Sequence, residues 1–183
     1  MSSDFLACFD LETSSLSADF GVVLCGVVKP WQGKARVYRI DELAGDVPSD
    51  DHLVVAALIE ALSQYDILVA HNGVRFDRPY LNTRALKWGL PLLNPFGKII
   101  DPVQHARRYL RMGGNSLANV AKTITKHQKS SVDGNVWVRA AMDRDKEAMD
   151  TVVKHCIKDV VVLEAVTERL RPFIKKIDER GSY

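Results

Sequence analysis

The chain has 183 residues, of which 46% are hydrophobic and 26% charged, and its formal net charge is +2 at pH 7. That length suits a single domain over residues 1–183 with a sizeable core, in the ordinary balance of a globular protein. So small a net charge excludes a large basic field and leaves only local basic patches.

FLACFD (5–10) has the composition of a buried strand, with Asp10 and Glu12 at its end. GVVLCGVV (21–28) is a β-branched run and gives a second strand. Pro30 and Gly33 mark a turn, and ARVYRI (35–40) alternates as a third. Short turns between three strands predict an antiparallel meander. The period then changes. Asp50 or Asp51 is placed to cap a helix running through Ser63, and DILVAHN (66–72) follows as a short buried strand. Asp77 and Pro79 start a helix over about 78–88, which Gly89 and Pro91 stop. KIID (98–101) is a further strand. PVQHARRYLR and SLANVAKTIT are helices separated by Gly113-Gly114. Residues 127–144 show no regular pattern, and a long helix spans about 145–170. The order predicts an α/β fold with a mixed sheet, three antiparallel strands followed by alternating helices and strands, as in a ribonuclease-H-like core.

The three cysteines, Cys8, Cys25 and Cys156, lie far apart in apolar segments without a C-x-x-C pair. They suggest buried reduced thiols rather than a disulfide framework or a zinc site. No leader pattern opens the chain, and no apolar stretch approaches the ~20 residues of a membrane span. A cytoplasmic location with no membrane partner is the expectation.

Carboxylates mark the ends of the apolar segments. Asp10 and Glu12 are two apart on a strand and so share a face. Asp77 follows the strand DILVAHN through a short loop. Asp159 lies in the last helix, where Met149, Val152, Val153, Cys156, Val160 and Leu163 form one apolar stripe. At 100° per residue Asp159 falls roughly 80° from Met149, and His155 roughly 120° from it on the same side. Lys154 and Lys158 point the other way, toward water. Carboxylates brought together in a poorly solvated site would repel by several kcal/mol unless cations neutralised them. Divalent ions with hard oxygen ligands do this, and two of them can serve phosphodiester hydrolysis. Spacing alone leaves open whether the four groups meet.

FDLET, HNGVRFD and HCIKDVVVL, in that order, resemble the three motifs of the DEDD superfamily of 3′–5′ exonucleases, the relatives of proofreading exonucleases, oligoribonuclease and ribonuclease T. The resemblance covers about residues 5–165. It implies a ribonuclease-H-like fold, two Mg²⁺ or Mn²⁺ ions, and hydrolysis at the free 3′ end of single-stranded DNA or RNA. It implies Asp10, Glu12, Asp77 and Asp159 as metal ligands. Members usually carry Tyr four residues before the last Asp, or His five before it. This chain has His155 four before Asp159, the histidine of one branch at the spacing of the other. His155 could orient or deprotonate the attacking water, since imidazole titrates near neutrality, or it could only hydrogen-bond near the metals.

The resemblance also implies that Leu11 and Thr13 contact the terminal nucleotide, through backbone groups and an apolar wedge. Asn72 would brace its loop or touch substrate, and Phe76 would stack on a base or pack in the core. Asp77 alone would suit a helix cap. His71 fits a satisfied strand-end histidine, and His52, His105 and His127 have no ligand-like spacing. Arg107, Arg108 and Arg111 surround Tyr109, and Lys122, Lys126 and Lys129 form a second basic group. Either could meet phosphates or be a solvated helix face. Trp137 could touch substrate or anchor its loop. Two other functions share these residues: a structure-selective endonuclease, and a nucleic-acid-binding module with a degenerate site. DNA against RNA and the oligomeric state are not readable.

Overall fold

The structure, a computed structural model, describes residues 5–43, 50–127, 133–142 and 145–174. β1 (Leu6–Thr13), β2 (Val23–Pro30) and β3 (Arg36–Arg39) form the expected antiparallel meander. β4 (Ile67–Val69) and β5 (Lys98–Ile100) join β1 in parallel, giving the sheet order β3-β2-β1-β4-β5. Helices α1 (His52–Leu62), α2 (Asp77–Trp88), α3 (Pro102–Tyr109), α4 (Leu117–Ile124), α5 (Gly134–Met142) and α6 (Lys146–Leu170) follow, and a 3₁₀ turn spans Arg171–Phe173.

β2 is buried along seven of its eight residues because it is covered on both faces, by α1 on one side and α6 on the other. Gly26 allows the close approach of α1. A Cβ there would come within 2.6 Å of Leu58 and 2.9 Å of Leu11. Across the sheet, α6 lays its apolar stripe against β1 and β2, burying Met149, Val152, Cys156, Val160 and Leu163. The buried apolar side chains of the described residues, Val103 apart, form one continuous core. No described helix is long and apolar enough to cross a membrane.

Two local expectations change here. β1 continues through Thr13, so Asp10 and Glu12 lie within the strand rather than at its end. The stretch 127–144 holds a helix, α5, whose Ala140 is buried and which packs on α6. A nine-residue helix has little stability alone, and it is this packing that sustains it. Lys129 lies outside the described residues; Lys122 and Lys126 are exposed.

Asp51 precedes α1 but makes no side-chain cap. Its buried carboxylate instead accepts from Val23 N at 2.9 Å, Arg84 Nη2 at 2.7 Å and Trp88 Nε1 at 2.6 Å. Arg84 also donates to the Ala18 carbonyl at 3.0 Å. This network ties β2, α1, α2 and the loop after β1 into one unit. All three cysteines are buried and free.

Candidate active site

β1 carries Asp10 and Glu12 toward α6, while Leu11 between them faces α1. The pleat separates the two faces, so one strand supplies both core and polar site. α6 brings three side chains to the polar face. Cys156 Sγ lies 3.6 Å from Asp10 Oδ2 and donates toward the Asp10 carbonyl at 3.4 Å. His155 Nε2 lies 3.9 Å from Glu12 Oε1 and 3.7 Å from Asp159 Oδ2. His155 and Asp159 are both buried, although helix phasing placed them on the flank of the stripe. The flank is buried here because α5 lies against α6 and covers it.

Asp77 comes from the other side of the sheet. It is the first residue of α2, directly after the N-cap Phe76. Its carboxylate accepts its own backbone N–H and that of Leu11, and the second bond places it beside β1. Burial pushes the Asp77 carboxyl up to about 7, and the nearby Asp101 and Glu12 carboxylates add to the shift. The loop before it is held by Asn72, which takes the left-handed conformation at φ 65°. The Asn72 N–H donates to Asp101 Oδ1 at 2.9 Å, and its carbonyl accepts from Phe76 N at 2.9 Å. Asp101 also caps α3 by accepting from Val103 N at 3.1 Å.

The five residues expected at the site are thus gathered around the end of β1. Asp10, Glu12, His155 and Asp159 sit between β1 and α6, and Asp77 is joined to β1 through Leu11. The expected contacts to a nucleotide fare differently. The Leu11 side chain is buried against Gly26 and Leu58 on the opposite face and its N–H is engaged by Asp77, so it offers no wedge. Thr13 is half-buried and its hydroxyl donates to the Ser15 carbonyl at 2.9 Å. Phe76 is half-buried and tilted against Tyr80 with ring centroids 5.5 Å apart. His71 Nε2 lies 2.9 Å from the Asn115 carbonyl oxygen, which ties the end of β4 to the loop before α4. Tyr109 of the arginine cluster stacks on Phe173 at 5.1 Å, and Arg108 lies over its ring at 5.4 Å.

Trp137 and Asp101 gain weight from the structure. Trp137 Nε1 donates to Glu12 Oε2 at 3.0 Å, and its ring meets His155 edge-on at 5.6 Å. No periodicity around Trp137 announced this contact. For Asp101, the Asp-Pro step opening α3 was the available signal, and it points only to the cap.

One ligand atom each from Glu12, His155 and Asp159 lies within 4.8 Å of the others, and the same holds for Asp10, Glu12 and Cys156. Several carboxylate oxygens and one imidazole make a donor set suited to hard or borderline divalent ions. The residues fit a divalent metal site.

The family model described as the RNase_H superfamily matches residues 7–171. Over 108 aligned residues the chain is 55% identical to a protein named DNA polymerase III PolC-type from Ureaplasma parvum serovar 3, covering 48% of this chain and 8% of that one. The fold is similar to the solved family B DNA polymerase from the hyperthermophilic archaeon Pyrobaculum calidifontis, with TM-score 0.75 and 21% identity over 91% of this chain and 24% of that chain. At that identity the likeness concerns the fold alone. The chain therefore spans only a small part of the length of either polymerase.

Proposed function

The chain belongs to the RNase_H superfamily, and from that premise we propose that it is a metal-dependent 3′–5′ exonuclease acting on single-stranded nucleic acid. The observation that carries this reading is the meeting of Glu12, His155 and Asp159 within 4.8 Å, from segments more than 140 residues apart, beside Asp10. Nucleases of this superfamily usually use divalent metals. In this reading Asp10, Glu12, Asp77 and Asp159 hold two Mg²⁺ or Mn²⁺ ions. Such ions, when bound, stabilise the charge that develops on a phosphodiester during in-line displacement.

The chain's own residues supply position and proton handling. His155 Nε2 faces Glu12 and Asp159, where it can accept the proton of an attacking water. Its unusual spacing does not remove it from the site, which argues against a degenerate module. Trp137 holds Glu12 through its indole N–H, and the Asn72 turn delivers Asp77. The Ureaplasma relative is named a DNA polymerase, which favours DNA over RNA as the substrate.

The test is release of nucleotides from 3′-labelled and 5′-labelled DNA and RNA oligonucleotides with Mg²⁺, Mn²⁺ or EDTA. Stepwise loss from the 3′ end, blocked by EDTA and abolished in Asp10→Ala, is expected. A circular single strand should stay intact, since cutting it would identify an endonuclease. An Asp10→Ala variant as active as the parent would overturn the assignment.

A further inference from the structure

A thiol stands among the carboxylates. Cys156 of α6 is fully buried, one residue after His155 and three before Asp159, and its sulfur faces β1. One ligand atom each from Asp10, Glu12 and Cys156 lies within 4.8 Å of the others. Glu12 also belongs to the set with His155 and Asp159. Sulfur, nitrogen and oxygen donors from β1 and α6 therefore share one region. Hydrolysis by two hard ions does not call on the sulfur.

The spacing of the sulfur is informative. A tetrahedral ion with bonds of about 2.3 Å to sulfur and about 2.0–2.2 Å to a carboxylate oxygen holds those two ligands about 3.5–3.7 Å apart. Cys156 Sγ stands 3.6 Å from Asp10 Oδ2. One ion can join both without moving α6 against β1. Cys25, directly opposite Glu12 in the β1–β2 pair, emerges on the same face, and its thiol contacts that of Cys156. Mg²⁺ gains little from sulfur, because it takes hard oxygen ligands in an octahedron. Thiolate ligands select Zn²⁺ and softer ions, and Zn²⁺ already exceeds Mn²⁺ in affinity at mixed sites.

We infer that Cys156, Asp10 and Glu12 form a capture site for thiophilic divalent ions of the Zn²⁺ class, overlapping the centre assigned to Mg²⁺ or Mn²⁺ and closing it to them. On capture the metal–sulfur bond forms and the Cys156 thiol gives its proton to solvent, with no change of oxidation state. Asp10 and Glu12 are common to both uses, so the centre cannot serve both classes of ion at once. The capture rests on the ligand set; the block of activity rests on the nuclease reading above.

The test uses the full chain, reduced and metal-free. Cd²⁺ serves as the spectroscopic stand-in for Zn²⁺, followed by the ultraviolet charge-transfer band of a cadmium–thiolate bond. Zn²⁺ affinity is read by competition with a chromophoric chelator. The parent should develop the band, saturating at one ion per chain. Cys156→Ser keeps a hydroxyl donor for the Asp10 carbonyl. It should lose the band and weaken Zn²⁺ binding by at least about 10-fold. Cys8→Ser should keep both. With Mg²⁺ and a 3′-labelled oligonucleotide, Zn²⁺ should inhibit the parent, and a chelator selective for Zn²⁺ should reverse the inhibition. A parent without the band at saturating Cd²⁺ overturns the inference, whatever the variants do. So does a band that persists in Cys156→Ser, or equal Zn²⁺ affinity in the two proteins. Nucleotide release supported by Zn²⁺ as well as by Mg²⁺ overturns the block. A chain that captures Cd²⁺ through Cys156 but releases no nucleotides with Mg²⁺ or Mn²⁺ keeps the capture site and loses the nuclease reading.

Discussion

Trp137 donates its indole N–H to Glu12 Oε2 at 3.0 Å, joining residues 125 positions apart, and the same ring stands at 87° to His155. One side chain therefore orients a carboxylate and bounds an imidazole. A hydrogen bond to a charged group contributes about 1.5–3 kcal/mol. Trp137→Phe keeps the ring and removes the donor. It should lower kcat/KM by at least about 10-fold and weaken Mn²⁺ binding by calorimetry, with Trp137→Ala worse than Trp137→Phe. Equal values in parent and Trp137→Phe would show the contact to be incidental.

His155 stands between Glu12 and Asp159, where both carboxylates can fix its ring. If Nε2 accepts the water's proton, His155→Ala lowers turnover by ~10²–10⁴-fold and flattens the acid limb of the pH–rate profile, with divalent-ion binding largely kept. His155→Tyr places a phenol at the spacing four residues before Asp159. A loss of only a few-fold in His155→Ala would make the residue a bystander.

Asp77 gives a pH dependence of stability in the metal-free protein. Its folded-state pKa of about 7 is raised above the ordinary 3.8, so the folded state holds the proton more tightly than the unfolded chain. This group's stabilisation is fully present below about pH 4 and is lost as pH rises through about 7. Denaturant titrations in EDTA should show that decline. Asp77→Asn should remove this part of it and be the more stable protein at pH 8. Divalent-ion affinity of the parent should rise with pH over the same interval, because binding displaces that proton.

The Asp51–Arg84 pair is fully buried and bonded on several sides. Removing one partner leaves a buried charge uncompensated, which costs about 3–5 kcal/mol. Arg84→Met should therefore lower the melting temperature by roughly 10 °C. A drop below a couple of degrees would show that the network contributes little. The double variant Asp51→Leu/Arg84→Met should recover part of the loss, since neither charge is then stranded.

The elements were legible where a single period ran through them. β2 is a β-branched run covered on both faces, and α6 keeps its apolar stripe for 25 residues. α5 was not legible, because a nine-residue helix between poorly patterned segments depends on α6 for its order. Asp50 or Asp51 looked like the cap of α1 from position; Asp50 does accept the His52 N–H at 3.0 Å, while the Asp51 oxygens go to the buried Arg84 instead of the local backbone. Asp77 bonds its own N–H at the start of α2 and also reaches across to the Leu11 N–H of β1.

By itself the sequence determined the same-face pair Asp10 and Glu12, because the two-residue period of a strand follows from backbone geometry alone. It also determined the stripe of α6 and the order of strands and helices apart from α5. Only the tertiary structure decided that Glu12, His155 and Asp159 meet, that Leu11 turns away from them, and that Trp137 reaches Glu12. These are relations between segments distant in the chain. They depend on how α5 and α6 pack on the sheet, and no local period encodes that packing.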